Sequence, residues 1–134
     1  MSAEGVERLR EAYDAFKRQD IPAVMAAFDE QIEWNSPANL PMGGIYRGHE
    51  GVGEFFGQLP QHWQELSVEP EEFIDAGEVI VVPIHLRGKG AGGSVDTWSL
   101  HLWRMRGDRA VSFREYADTA SVLQALGQPV SASA

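Results

Sequence analysis

Residues 94–118 read SVDTWSLHLWRMRGDRAVSFREYAD. Two runs of alternating residues, 94–105 and 110–118, flank the short Arg106-Gly107-Asp108-Arg109 turn, which is the pattern of an antiparallel hairpin. Aromatic, aliphatic and hydrogen-bonding residues share these strands, as they do in strands that line a cavity. His101 and Glu115 lie on them, and together they form the acid/base combination that stands out in this chain. Composition alone would bury Trp98, Leu100 and Leu102 and leave Thr97, Ser99 and His101 in water, because apolar residues favour the core side of a sheet.

Before this hairpin the two-residue period begins after Leu66. The pattern predicts a strand over 67–74, a compact turn at Asp75-Ala76-Gly77-Glu78, and a second strand with Ile80, Val82, Ile84 and Leu86 on one face. Pro83 lacks an amide donor, so a bulge or an edge is expected there. The glycine-rich stretch 88–93 reads as a flexible hairpin tip. Upstream the period is helical: Val6, Leu9, Tyr13 and Phe16 give a helix over 3–18 one apolar face. Asp20 caps a short second helix with Pro22 in its first turn and Val24, Ala27 and Phe28 toward the core. Ile32, Glu33 and Trp34 start a strand that ends in a loop over 37–44. A third helix follows from about Glu50, with Val52, Phe55, Phe56 and Leu59 as its stripe. After the hairpin, Asp118 caps a last helix over 119–126 with Gly127 at C′. The order is that of an α+β fold, a curved antiparallel sheet wrapped around N-terminal helices to form a cone-shaped pocket. Residues 1–127 make one domain, and 128–134 a flexible tail.

A chain of 134 residues, 43% hydrophobic, suits one globular core. The net charge of -9 repels phosphate backbones and anionic lipid, so neither nucleic acid nor membrane is an expected partner. The absence of cysteine excludes disulfides, thiolate metal sites and cysteine nucleophiles. The charged, amphipathic start does not read as a signal peptide, and no run reaches the roughly 20 apolar residues that span a bilayer. A cytoplasmic protein is expected. His49, His62 and His85 show no metal-ligand spacing. No glycine-rich phosphate loop opens a helix, so no cofactor is expected.

Four segments carry a resemblance: KRQDIPAVMAAFDEQIEWNSP (17–37), GGIYRGHEGVGEFFGQL (43–59), RGDR (106–109) and REYADTASVLQALG (114–127). In this order they are similar to the SnoaL-like branch of the nuclear-transport-factor-2-like superfamily, home of polyketide cyclases, ketosteroid isomerase and limonene epoxide hydrolase. The resemblance covers residues 6–127 and implies that Phe113, Glu115 and Ala117 face the pocket. With a three-residue hairpin loop, His101 then lies across from Glu115 and Trp103 across from Phe113. A two-residue loop would break that alignment, because a one-residue slip exchanges the faces of a strand. Trp98, Leu100 and Leu102 are left on the outer face, which implies a homodimer.

The cyclases use a histidine and an acid on neighbouring strands, and the resemblance carries that role to His101 as base with Glu115 orienting it. The other reading is a buried pair that satisfies itself, Glu115 being salt-bridged to Arg104 or Arg114. Asn35 matches a water-positioning asparagine of the epoxide hydrolases, and reads equally as a turn residue. Ser36 stands where the ketosteroid isomerases carry a base aspartate, and a serine cannot serve as that carboxylate base; Val82 and Ile84 stand where the hydrolases need charged residues, so epoxide hydrolysis is not expected. Tyr13, Phe16, Trp34, Phe56, Trp63 and Trp103, with Phe113, could line a pocket for a small hydrophobic ligand, most of the first six being plain core. The implied function is cofactor-free acid/base chemistry, of cyclase or isomerase type, on a small hydrophobic carbonyl compound. The alternative is a non-catalytic module that binds a ligand or a partner.

Overall fold

The computed structural model describes residues 2–130. Its elements run α1 (Ser2–Lys17), α2 (Ile21–Met25), β1 (Phe28–Ser36), β2 (Gly44–Arg47), α3 (Gly48–His62), β3 (Trp63–Pro70), β4 (Ile74–Ala76), β5 (Val79–Gly90), β6 (Gly93–Arg106), β7 (Arg109–Ala117) and α4 (Thr119–Ala125). The seven strands form one curved, unclosed sheet of order β2-β1-β7-β6-β5-β3, with β4 also paired to β5. The sheet is antiparallel except between β1 and β7, which run parallel. That pair adds one parallel contact to the expected curved antiparallel sheet, and its cause is topological. Chain α1 and α2 lead into β1, and β7 arrives from the far hairpin to lie beside it in the same direction.

The helices behave as their patterns dictate. Leu9, Ala12, Tyr13 and Ala15 of α1 are buried, and Arg8 reaches the β6–β7 turn to pair with Asp108 at 2.7 Å. Asp20 accepts a hydrogen bond from the Ala23 amide, capping α2. Asp118 accepts from the Ser121 amide, capping α4. Gly127, at φ +75°, closes α4: its amide donates to Gln124 and that of Gln128 to Leu123, the two bonds of a Schellman turn. The expected tail thus begins tethered, and its last residues, 131–134, lie outside the described residues.

The strands differ from the sequence reading in instructive ways. Residues 44–47, which follow the loop expected over 37–44 and for which no element is expected, pair with β1 as β2. The third helix begins at Gly48 rather than near Glu50, and β3 follows it directly at Trp63. Pro83 produces no bulge toward β6. Its carbonyl accepts from the Glu71 amide, so its donor-less edge faces the gap where β3 ends at the Pro70–Ile84 pair and β4 begins at the Ile74–Val81 pair. Residues 88–93 are not a loose tip. The strands continue to Gly90 and from Gly93, and glycine is required there by contact: a Cβ on Gly88 would meet the Trp63 ring at 2.6 Å, and one on Gly90 the Ala125 carbonyl at 2.6 Å.

The β6–β7 loop holds two residues, Gly107 and Asp108, between the paired Arg106 and Arg109. Gly107 has φ +63°, the positive value a type II′ turn asks of its first central residue. A loop of this length would pair His101 with Arg114. A bulge prevents it: Met105 pairs with Ala110 but Arg104 with Ser112, so Val111 is the extra residue and the ladder beyond it recovers His101 opposite Glu115. The expected three-residue loop is therefore replaced by a two-residue loop plus a bulge, with the same register.

Candidate functional site

The inner face of the sheet carries two adjacent rows of side chains. Trp34, Phe113 and Trp103 stand side by side on β1, β7 and β6. One step further along, His101 pairs with Glu115, and the parallel register that pairs Asn35 with Arg114 brings Ser36 next to Glu115. On β5, Val82 extends the polar row with a buried aliphatic wall. Alternation puts these residues inward, so the composition-only orientation is reversed. Ser99, His101 and Trp103 are buried, while Trp98 is 58% exposed. The physical reason is that the inner face already has helices to cover it.

A cavity of about 110 Å³ opens between this face and the helices. Tyr13 and Phe16 of α1, Trp34 of β1, Phe56 of α3, Trp63 of β3, Trp103 of β6 and Phe113 of β7 all line it, together with His101 and Glu115. The six aromatic residues expected to be mostly core thus belong to core and cavity wall at once. Asn35 does not line it. Its neighbours Trp34 and Ser36 point inward, so Asn35 alternates to the other face and donates from Nδ2 to the Phe113 carbonyl at 3.3 Å. Sequence reasoning missed Ser36 as a lining residue, although its place two residues after Trp34 on one strand was the available signal. It also missed Leu40, Met42, Leu59 and Val122, whose aliphatic side chains read the same in a wall as in a core.

His101 is held by a chain of hydrogen bonds. Trp103 Nε1 donates to the Tyr13 hydroxyl at 3.0 Å, and that hydroxyl lies 2.6 Å from His101 Nδ1. Indole nitrogen only donates, so the Tyr13 oxygen accepts there and its own proton goes to Nδ1. Any other assignment would leave a buried hydroxyl proton without an acceptor, at a cost of about 1–3 kcal/mol. His101 therefore carries its proton on Nε2. That nitrogen faces Glu115 Oε2 at 4.0 Å, beyond hydrogen-bonding distance, so it remains able to donate into the cavity.

Burial lowers the His101 pKa to about 3, which keeps the imidazole neutral. Burial raises Glu115 to about 7, and hydrogen bonding with the Ser36 hydroxyl opposes that rise. The two are therefore no ion pair near neutrality, although they approach as one would. Tyr13 is pushed up by burial, with Trp103 pulling it down and the charge of Glu115 adding to the rise. Arg104 and Arg114 are exposed and form no salt bridge with Glu115 among the described residues. His49 contacts the Phe28 carbonyl, and His85 pairs with Asp96 on the outer face, both away from the cavity. Among the described residues no group of histidines and carboxylates could hold a metal ion.

The family model described as the SnoaL-like domain matches residues 9–113. The chain belongs to the SnoaL-like family. The matched region spans α1 through Phe113, and so includes Tyr13, His101 and Trp103 while stopping short of Glu115. Among solved structures, this SnoaL-like chain is similar to a nuclear-transport-factor-2-like protein of unknown function from Burkholderia pseudomallei. The two are 35% identical, with 92% of this chain and 97% of that chain covered and a TM-score of 0.87. A nuclear-transport-factor-2-like protein from Burkholderia thailandensis is 28% identical over 92% of this chain and 96% of its own, with a TM-score of 0.84. TerC, co-crystallised with polyporic acid, is 24% identical over 93% of this chain and 99% of its own, with a TM-score of 0.87, a likeness of fold alone. No curated protein matches the sequence. No helix among the described residues is long and apolar enough to cross a membrane.

Proposed function

We propose that this SnoaL-like protein transfers a proton at the acidic carbon of a small hydrophobic carbonyl compound, in a cyclisation or isomerisation. The observation that carries this reading is the chain from Trp103 through Tyr13 to His101, ending 4.0 Å from a carboxyl whose pKa is raised to about 7. The roles differ from those suggested by the family resemblance. A neutral imidazole with Nδ1 already occupied cannot take a proton from substrate at that nitrogen, and its Nε2–H is a donor. Glu115 is the base, and His101 donates a hydrogen bond to the carbonyl oxygen as negative charge develops on it. The proton leaves carbon for the carboxylate, so the negative charge moves from Glu115 to the enolate and the cavity gains none. Two groups of this kind suffice for such a step without a cofactor.

The decisive comparison is Glu115→Gln beside His101→Gln on a panel of small cyclic enones and dicarbonyl compounds. Turnover is expected to fall roughly 100-fold or more in each variant while ligand affinity changes much less. Full turnover in Glu115→Gln would end the assignment. The competing reading, a binding module without turnover, draws on the same 4.0 Å gap, since no direct hydrogen bond couples the two groups before a ligand enters. Its signature would be ligand retention by the parent protein with no conversion.

The second copy of the chain is the proposed partner. Leu100 pairs with Tyr116, which is 51% exposed, and Trp98 lies beside them at 58%, giving the outer sheet face one apolar patch. A patch of this kind on a two-fold axis can meet its own copy.

A further inference from the structure

Glu115 stands between two polar neighbours on the inner face of the sheet. His101 lies across from it on β6, and Ser36 lies beside it on β1, one step beyond the Asn35–Arg114 pair. Both neighbours are buried, and all three residues line the cavity. The two flanks differ in what they can offer a carboxyl. His101 presents an Nε2–H fixed by the Tyr13 hydroxyl on Nδ1, so on that side Glu115 Oε2 meets a donor 4.0 Å away that cannot turn into an acceptor. Such a donor suits a carboxylate, or the carbonyl oxygen of the acid, and offers nothing to the acid's proton. A serine hydroxyl carries one proton and two lone pairs on a rotor, so it can donate to a carboxylate and accept from a carboxylic acid.

Nothing else claims the Ser36 hydroxyl. Among the described residues its Oγ has no hydrogen bond of ordinary geometry, and Glu115 is the group that feels it, since hydrogen bonding with Ser36 opposes the rise that burial imposes on that carboxyl. The contact is loose and directed at a single partner, which leaves the hydroxyl free to turn. The other polar side chains of the wall are committed or can only donate. Tyr13 is bonded to Trp103 and to His101 Nδ1, and the Trp34 indole has no acceptor. Ser36 is therefore the side chain left to receive a proton from Glu115 where water is excluded, and an unmet proton there would be costly.

We propose that Ser36 positions the Glu115 carboxyl for its work as base, donating to the carboxylate before the proton leaves carbon and turning to accept from the carboxylic acid afterwards. The inference rests on the base role proposed for Glu115, and goes beyond it by assigning the group that holds the carboxyl in both of its forms. Ser36 keeps its own proton throughout and exchanges none with substrate, so it is a positioning residue and not a second base.

Ser36→Ala removes the hydroxyl, and Ser36→Thr restores one on a residue suited to a strand. The titration of Glu115 can be followed in each protein by carbon-13 NMR of its side-chain carboxyl, assigned from Glu115→Gln, and needs no substrate. The other titratable groups that face Glu115, His101 from β6 and Tyr13 from α1, stay neutral near its midpoint, so the step read is the carboxyl's own. The midpoint is expected to move up in Ser36→Ala, because the lost hydrogen bond favours the charged form, and to return toward the parent's in Ser36→Thr. On a carbon acid that the parent converts, kcat/KM of Ser36→Ala at about pH 6 should fall roughly three- to tenfold, and its inflection should move up with the NMR midpoint. An unmoved midpoint in Ser36→Ala would overturn the proposal whatever the turnover. A midpoint displaced equally in Ser36→Thr would trace the shift to packing and overturn it as well. The base role fails separately: a moved midpoint in a protein that binds carbon acids without converting them would keep the contact, overturn the positioning role and remove the enzyme reading. Conversion that is lost in Glu115→Gln, beside an unmoved midpoint in Ser36→Ala, would keep the base and remove Ser36.

Discussion

Glu115 and His101 are both pushed by burial toward their neutral forms, and this makes their effects on stability run in opposite directions with pH. Folded Glu115 keeps its proton up to about 7, whereas the unfolded chain releases it near 4.5, so Glu115 lowers stability as pH rises through that window. Folded His101 is neutral down to about 3 while the unfolded chain binds a proton below 6.5, so its contribution raises stability as pH climbs from 3 to 6.5. The two slopes offset each other where the windows overlap. Melting temperatures measured from about pH 3 to about pH 8 should therefore show a steeper rise in Glu115→Gln than in the parent, and a shallower one in His101→Gln. Parallel curves would mean that neither group is held neutral. The same values govern rate: kcat/KM should rise with pH and level off above about 7, as Glu115 loses its proton, with no inflection near 6.5 from His101. An inflection there would restore His101 as the titrating base.

At the scale of elements, α1 is more than a cover for the sheet. It delivers Tyr13 to the buried pair on β6, and the Arg8–Asp108 bridge ties its first half to the β6–β7 turn. Tyr13→Phe keeps the ring and strands both Trp103 Nε1 and His101 Nδ1, for an expected loss of about 1–3 kcal/mol in urea unfolding. The same variant should release the imidazole from its Nε2–H form, visible in the nitrogen chemical shifts of His101. A stable Tyr13→Phe with unchanged shifts would show that the hydroxyl does not set the tautomer. Where β5 passes under Trp63, Gly88 offers a test of sign. If that glycine served only flexibility, Gly88→Ala would stabilise the protein by about 0.4–1 kcal/mol. The 2.6 Å approach of its Cβ to the Trp63 ring predicts the opposite, a loss of about 1–3 kcal/mol as the cavity wall is displaced.

For the molecule as a whole, the helices cover one face of the sheet and leave Trp98 and Tyr116 exposed on the other, on a chain of net charge -9. In the proposed dimer two copies would attract through the apolar patch and repel through their charge. Sedimentation at micromolar concentration should show a dimer that tightens as salt screens the repulsion. Trp98→Glu, which puts a carboxylate into the patch, should sediment as a monomer with an unchanged far-ultraviolet spectrum. A parent protein that stays monomeric at every salt concentration would remove the second copy as partner and leave the cavity chemistry untouched.

The amino-acid sequence alone determined the helices, their caps, the long strands and the hairpin that carries His101 and Glu115, because periodicity, Asp20, Asp118 and Gly127 act within a few residues of themselves. The family resemblance supplied the inward face of that hairpin, which composition by itself would have turned outward. Other features rest on contacts between distant parts of the chain. The Val111 bulge that restores the register depends on β6 meeting β7 above a two-residue loop, and β2 exists because residues 44–47 find β1. Asn35 loses its place in the pocket and Ser36 gains one through strand alternation, which is absolute once β1 lies beside β7. The His101 tautomer is the furthest from local reading. It is decided by a hydroxyl 88 residues away, whose only free proton is directed by an indole, and no pattern along the chain encodes a hydrogen bond closed in three dimensions.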